Sequence, residues 1–471
     1  MPASLRTVPE PGADGSFDIG RLLDERRAEG PVLHERHLNA QVPRLLRTIG
    51  FDRTYVRAEG ACLYDADGAR YLDMLAGFGV HALGRNHPEV SKALHDVLDR
   101  GLADLVQFDA PLLPGLLAER LLAHAPGLDR AYFCNSGTEA VEAALKFARA
   151  ATGRPRVLYA DHAYHGLTAG SLSVNGAVEF RRGFGPLLPD TKVRLGDLEG
   201  LRRELRRGDV AALLVEPIQG KGVNLPPAGF LAAAQHLLHE HGALLICDEV
   251  QTGIARTGRF FAHEHEAVDP DIVTVAKALS GGYVPIGATL AKSWIFDKVY
   301  SSLDRAFVHA STFAGNALAM AAGLATLAVI ERDDVAGQAE RAGATLTAGL
   351  REMAERYDYV AEVRGRGLMI GIEFGRPRSL ARRPTWYALR AARRGLFAQT
   401  VVAPLFQRHR IITQVAGDHM DVIKLLPPLV IGDAEVEWFL GAFDAVMAEA
   451  HSGSRLVWDF GRHLVRHAVT R

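Results

Sequence analysis

The stretch from Leu244 to Gly282, LLICDEVQTGIARTGRFFAHEHEAVDPDIVTVAKALSGG, constrains this chain more than any other. It holds two short apolar runs, Leu244–Cys247 and Ile272–Ala276. Both are too short for helices and of the right length for buried strands. Each run ends at a charged residue, Asp248 in the first and Lys277 in the second. A carboxylate or ammonium is tolerated in such a place only when something pairs it. In an open parallel sheet, ligands gather at the carboxyl ends of the strands. An acid and a lysine delivered to one rim therefore suit a ligand that uses both. Pyridoxal phosphate is such a ligand, because its ring nitrogen needs an anion to keep a proton and its aldehyde needs a lysine for a Schiff base. A structural salt bridge at a strand end is the alternative reading of the same two residues.

The rest of the chain narrows the class. At 471 residues it exceeds one ordinary core and implies two or more domains. Lys+Arg number 54 against 55 Asp+Glu, so charge offers no case for nucleic acid. No run of ~20 apolar residues is available to span a membrane, and the start, MPASLRTVPEPGADGSF, lacks the apolar core of a secretory signal. Cys62, Cys134 and Cys247 sit in apolar surroundings without paired spacing, which reads as buried thiols of a cytoplasmic protein. Residues 1–16 are rich in Pro and Gly and read as disordered; Asp18 to Ile49 is helical in pattern, with Leu22, Leu23, Leu33, Leu38, Leu45 and Leu46 apolar.

Further motifs follow in order. Asp67-Gly68 between two strand-like runs predicts a hairpin. FCNSGTEAVEAALKFARAAT predicts a strand end, a turn and an amphipathic helix buried through Ala140, Val141, Ala144, Leu145 and Ala148. Its Ser136-x-x-Glu139 is a capping box, and its exposed amides also suit a phosphate. RVLYA (156–160) and VAALLV, which precedes Glu216, read as buried strands, and 227–243 as a helix. The alternation indicates a parallel α/β sheet. VRGRGLMIGIEF reads as one strand, HEH at 263–265 as a surface cluster, and no HExxH-type metal spacing occurs.

The sequences DEVQTG, SGTEA and VAKALSGG together resemble the cofactor core of class-III pyridoxal-phosphate aminotransferases of the ornithine, 4-aminobutyrate and putrescine type, and the likeness extends over roughly residues 50–450. The resemblance implies the α/β architecture called fold type I: a large domain with a mostly parallel sheet flanked by helices, and a small α+β domain built from both chain ends. On this chain the division falls at 1–45 (extension and helix), 46–80 (small domain), 81–335 (large, cofactor-binding domain), 336–450 (small domain again) and 451–471 (tail). It further implies that Lys277 carries the cofactor and moves the proton, and that Asp248 keeps the pyridine nitrogen protonated. Ser136, Gly137 and Thr138 form the phosphate cup, Tyr164 stacks on the ring with His165 beside it, Val250 packs the opposite face, and Gln251 bonds the ring hydroxyl. Thr312 reaches the phosphate of the neighbouring subunit, which makes the active unit a homodimer with shared sites.

The substrate side departs from the family. Phe78 falls where an aromatic faces the substrate, and Glu216 lies in the same pocket, but Arg85 stands where the family usually has a histidine. Lys424, just before the LeuLeuProProLeu run, replaces the usual carboxylate-binding arginine. Lysine is a point charge and cannot reproduce the bidentate geometry. Pairing of Lys424 with Glu216 is expected, leaving an apolar route past Phe78. The expected reaction is transfer of an amino group between a terminal primary amine, its aldehyde, an omega-amino acid or a diamine and a 2-oxo acid. An aminomutase or decarboxylase on the same fold, and a cofactor-binding scaffold without turnover, are the competing readings. The tail HSGSRLVWDFGRHLVRHAVTR has a basic and an apolar face at helical spacing. It is expected to pack on its own dimer or to dock an acidic carrier protein or reductase that supplies the aldehyde.

Overall fold

The computed structural model describes residues 16–106, 108–417 and 420–452. Both the first fifteen residues and the greater part of the C-terminal tail, 453–471, with the expectations attached to them, lie outside the described residues.

A seven-stranded sheet forms the centre, in the spatial order Arg130–Cys134, Gly287–Ala291, Ile272–Val275, Leu244–Asp248, Val210–Val215, Arg156–Ala160, Thr191–Val193. The last five are mutually parallel, and Gly287–Ala291 runs antiparallel to both its neighbours. Every residue of Val210–Val215, Leu244–Asp248 and Ile272–Val275 is buried. That is why these strands read as unbroken apolar runs rather than alternating ones: helices cover both faces. One cover is the helix Gly137–Thr152, whose Ala140, Val141, Ala144, Leu145 and Ala148 are buried as its pattern requires. Strand register sets Asp248 beside Thr274. The chain leaves Val275, passes Ala276, and turns into a short helix that begins at Lys277.

Two four-stranded sheets flank this layer. In one, Cys62–Asp65 and Arg70–Asp73 form the hairpin expected around Asp67-Gly68, with Gly68 at φ 79°. The strand Ile411–Ile412 joins its edge in parallel, pairing with Leu72 and Asp73, so the two ends of the chain meet there. The other sheet corrects one expectation: VRGRGLMIGIEF is not one strand but a hairpin, Val360–Arg366 with Met369–Phe374. It turns at Gly367, which sits at φ 50°, where only the absence of a Cβ lets the backbone lie against Thr257 and Gly258. The N-terminal pattern breaks into Ile19–Arg26, Gly30–His37 and Gln41–Ile49, and its leucines at 23, 38, 45 and 46 stay exposed on the single chain. The HEH cluster is a second correction. His263 is buried, its Nδ1 lying 3.0 Å from Glu249 Oε1, because the buried Glu249 carboxylate needs donors and draws the histidine inward. No helix among the described residues is long and apolar enough to cross a membrane.

Candidate active site

A cavity of about 1090 Å³ opens at the carboxyl ends of the central strands, and Asp248 and Lys277 both line it. Asp248 and Glu249 point to opposite sides of the strand end. Glu249 turns inward to the amides of Ala262 and His263, while Asp248 faces the cavity. The Asp248 carboxylate is held by three groups: His165 Nδ1 at 2.7 Å on Oδ2, the Val250 amide at 3.0 Å and the Thr274 hydroxyl at 3.1 Å on Oδ1. His165 is itself buried, and its Nε2 has no protein partner. Lys277 stands at φ 44°, a left-handed conformation that a non-glycine residue keeps only when its surroundings impose it. Burial pulls its ammonium below the ordinary lysine range, against the opposing charges of Asp248 and Glu216.

On one wall, Ser136 caps the helix Gly137–Thr152, its hydroxyl accepting from the Glu139 amide. Glu139 reaches back to the Asn135 amide at 2.9 Å. Half of the expected capping box forms: Ser136 caps the helix, but Glu139 answers the amide of Asn135 rather than that of Ser136, and the free amides of the first turn stay at the cavity. Gly137 is required here: a Cβ would lie 2.7 Å from Val250 Cγ1. The Thr138 hydroxyl is tied to Thr168 at 2.8 Å and Ser171 at 2.6 Å. Tyr164 lines the cavity with its ring edge-on to Phe180, and its amide donates to Glu216 Oε2 at 3.0 Å.

Phe78 projects from a loop in which Ala76, Gly77, Phe78 and Gly79 all have positive φ. Against Gly79 of this loop lies Arg256, fully buried, its NH1 donating to the Leu368 and Pro427 carbonyls. Lys424 Nζ lies 5.9 Å from the centre of the Phe78 ring. The expected Lys424–Glu216 pair does not form. Glu216 is satisfied by the amides of Tyr164 and Gly220, whereas Lys424 Nζ donates to the Gly220 carbonyl at 2.8 Å and to Gln251 Oε1 at 3.3 Å. Two backbone donors hold the carboxylate more rigidly than a flexible lysine would. Burial, with Lys277's charge added, lowers the Lys424 ammonium to about 7. Burial pushes the Glu216 carboxyl up. Gln251 Nε2 donates to the Phe78 carbonyl at 3.1 Å, so one amide fastens the Phe78 loop to Lys424. Arg85, the departure from the family pattern, bonds Asp73 at 2.7 Å and His81 at 3.0 Å and braces the same loop.

Of the residues expected at the site, only Thr312 does not line this cavity. It is exposed, and the preceding Ser311 accepts from Asn135, a cavity residue, at 2.9 Å. Sequence reasoning missed Thr274, Glu179, Phe180, Lys221 and Arg256. The Gly-Lys-Gly step at 220–222, just after the acid at a strand end, was the available signal for Lys221.

The donor set fits pyridoxal phosphate: a buried amine, a buried carboxylate held by a histidine, an aromatic wall and a helix N-terminus with room for an anion. Comparison with known proteins agrees. Residues 48–447 match the aminotransferase class-III family. The aminotransferase PigE of Serratia sp. (strain ATCC 39006) is 39% identical over 476 residues, covering 93% of this chain. The chain spans 56% of that relative's length. Ornithine aminotransferase from Toxoplasma gondii ME49 superposes with a TM-score of 0.80 at 29% identity, over 93% of this chain and 99% of that one. An amine transaminase from an uncultivated Pseudomonas species, in its pyridoxal-phosphate-bound form, does so at 0.73 with 31% identity, over 84% and 95%. This chain belongs to the class-III aminotransferases, a family of pyridoxal-phosphate enzymes of fold type I.

Proposed function

We propose that the chain is a transaminase that moves an amino group between a terminal primary amine, or the matching aldehyde, and a 2-oxo acid. One observation carries the reading: Lys277, the Asp248–His165 pair and the first turn of the Ser136-capped helix converge on one cavity. Lys277 would hold the cofactor's aldehyde carbon, the amides of Gly137 and Thr138 with the Ser136 side would hold its phosphate, and Tyr164 and Val250 would flank its ring. When bound, the cofactor supplies the electron sink that stabilises negative charge on the substrate carbon.

The chain's own groups do the rest. Asp248 keeps a proton on the pyridine nitrogen, and His165, Val250 and Thr274 fix the carboxylate in place beforehand, so no reorganisation is needed as charge develops. Gln251 fixes the ring hydroxyl. Lys277, whose amine burial keeps closer to neutrality, carries the proton from the substrate carbon. Apolar walls, among them Phe78, Val80, Leu167, Phe180 and Ile286, exclude water and favour an aliphatic chain on the amine. Lys424, its amine 5.9 Å from the centre of the Phe78 ring, takes the carboxylate of the 2-oxo acid and is charged when that anion is bound.

The active unit in this reading is a homodimer in which Thr312 serves the opposite site. Its exposure beside Ser311 supports that, as does the uncovered aromatic pair Phe108 and Phe307, 88% and 72% exposed with ring centres 6.1 Å apart. Free, buried Cys62, Cys134 and Cys247 support a reducing, cytoplasmic setting. The test is a panel of terminal amines with pyruvate and 2-oxoglutarate, scored for aldehyde and amino acid. Equal amounts of both products, dependent on the acid, are expected. Carbon dioxide release, or an isomerised amine formed without any 2-oxo acid, overturns the reading in favour of a decarboxylase or a mutase.

A further inference from the structure

We propose that Lys221 reads the second carboxylate of a dicarboxylic 2-oxo acid, and that Glu179 fills that position whenever the bound substrate lacks such a group. The inference rests on the transaminase reading and names its acceptor. Three lysines line the cavity. Lys277 is committed to the cofactor, which leaves Lys424 and Lys221 for substrate.

These two differ in what they hold. Lys424 Nζ donates to two neutral oxygens, on Gly220 and Gln251. Lys221 Nζ is bound to a carboxylate, that of Glu179. The structure thus already displays a carboxylate seated on Lys221 inside the cavity. Lys221 is only 9% exposed and cannot turn to solvent, whereas the Glu179 side chain is 38% exposed and can. Exchanging one carboxylate for another keeps the buried ammonium paired throughout, and the carboxylate that leaves is rehydrated. That is the arrangement a site needs if it must host a carboxylate in one half of the cycle and an uncharged chain in the other.

Position supports the assignment. Lys221 directly follows Gly220, whose carbonyl accepts from Lys424, so the two ammonium groups approach one loop from different elements. A monocarboxylic 2-oxo acid engages one of them, and a dicarboxylic acid engages both. Phe180 lies under Lys221 Nζ at 4.8 Å and meets the Tyr164 ring edge-on at 5.4 Å. The second carboxylate therefore sits at the outer end of the aromatic wall. Glu179 rides on a single turn, Val178–Arg181, anchored through Arg181 to the Asn175 carbonyl and the Tyr159 hydroxyl, so its side chain can leave while the turn stays.

The experiment measures kcat/KM of the holoenzyme for 2-oxoglutarate and for pyruvate with one amine donor, in wild type, Lys221→Met, Lys221→Arg and Glu179→Gln. Calorimetric binding of glutarate and butyrate gives a second readout. Wild type is expected to favour 2-oxoglutarate at least tenfold. Lys221→Met should cut that ratio at least tenfold and weaken glutarate but not butyrate. Lys221→Arg should keep most of the ratio, and Glu179→Gln should raise it several-fold. A ratio within twofold of wild type in Lys221→Met or, should that variant not fold, an unmoved ratio in Glu179→Gln overturns the proposal. Wild type that uses pyruvate as well as 2-oxoglutarate overturns it and leaves the transaminase reading intact. Transfer to neither acid overturns both.

Discussion

Replacing Lys424 by methionine should make the protein more stable at pH 6 and less stable at pH 10. Lys424 is 4% exposed, and its ammonium falls from 10.5 to about 7. At about 1.4 kcal/mol per pH unit, that difference is worth roughly 5 kcal/mol in favour of the neutral amine in the folded chain. Between pH 7 and 10.5 the unfolded chain binds a proton that the folded chain does not, so wild-type stability rises with pH across that window. Below about 7 the full penalty is present. Methionine abolishes the titration but loses the bonds to Gly220 and Gln251 and leaves those oxygens unpaired, about 2–3 kcal/mol together. The variant should therefore gain about 2 kcal/mol at pH 6 and lose about 1–2 kcal/mol at pH 10, where about 1 kcal/mol of the wild-type penalty still remains, with the sign changing between. Urea unfolding at matched protein and cofactor concentrations, from pH 6 to pH 10, measures it. A stability difference that does not vary with pH, or a variant weaker at both ends, refutes the reasoning.

Three further outcomes are expected. His165→Phe, which strips Asp248 of its 2.7 Å partner, should lower kcat about 10- to 100-fold, whereas His165→Asn, whose amide falls near Nδ1, should keep most of it; steady-state rates of the two variants decide. Gly137→Ala brings a Cβ within 2.7 Å of Val250 and should weaken cofactor binding about tenfold, with Val250→Ala restoring it, as read by titration of the apoprotein. Mixing inactive Lys277→Ala and Thr312→Ala subunits should restore about one quarter of wild-type activity if sites are shared, since each mixed dimer then has one site free of both changes; no recovery after verified exchange contradicts sharing.

What the sequence conveyed, and what it did not, follows from how far apart the interacting groups lie along the chain. The strands Leu244–Asp248 and Arg156–Ala160 were legible because burial on both faces leaves an unbroken apolar run. The helix after Ser136 was legible because its cap and its buried stripe are local. By contrast, the hairpin at Met369 was read as one strand, because its turn is only Gly367 and Leu368, and glycines also stand inside both arms, at 365 and 371, so none of them marks the break. His263 looked like surface because its neighbours are charged, and only the fold brings Glu249 to it. The Lys424–Glu216 pair was expected from opposite charges and failed because backbone amides reached the carboxylate first. Glu179 and Lys221 meet from segments forty-odd positions apart; the Gly-Lys-Gly step pointed to the lysine, but nothing around Glu179 announced it as the partner. The left-handed backbone at Lys277 and Phe78 leaves no trace in composition either.

The central claim is that Lys277, facing Asp248 across the cavity, is the amine on which the reaction turns. Single-turnover consumption of an amine by Lys277→Ala, with and without added methylamine, tests it most directly. A folded protein is expected whose rate falls by at least about 10⁴ and is partly restored by methylamine, because the small amine replaces the missing proton carrier. A Lys277→Ala variant that consumes amine at the wild-type rate contradicts it.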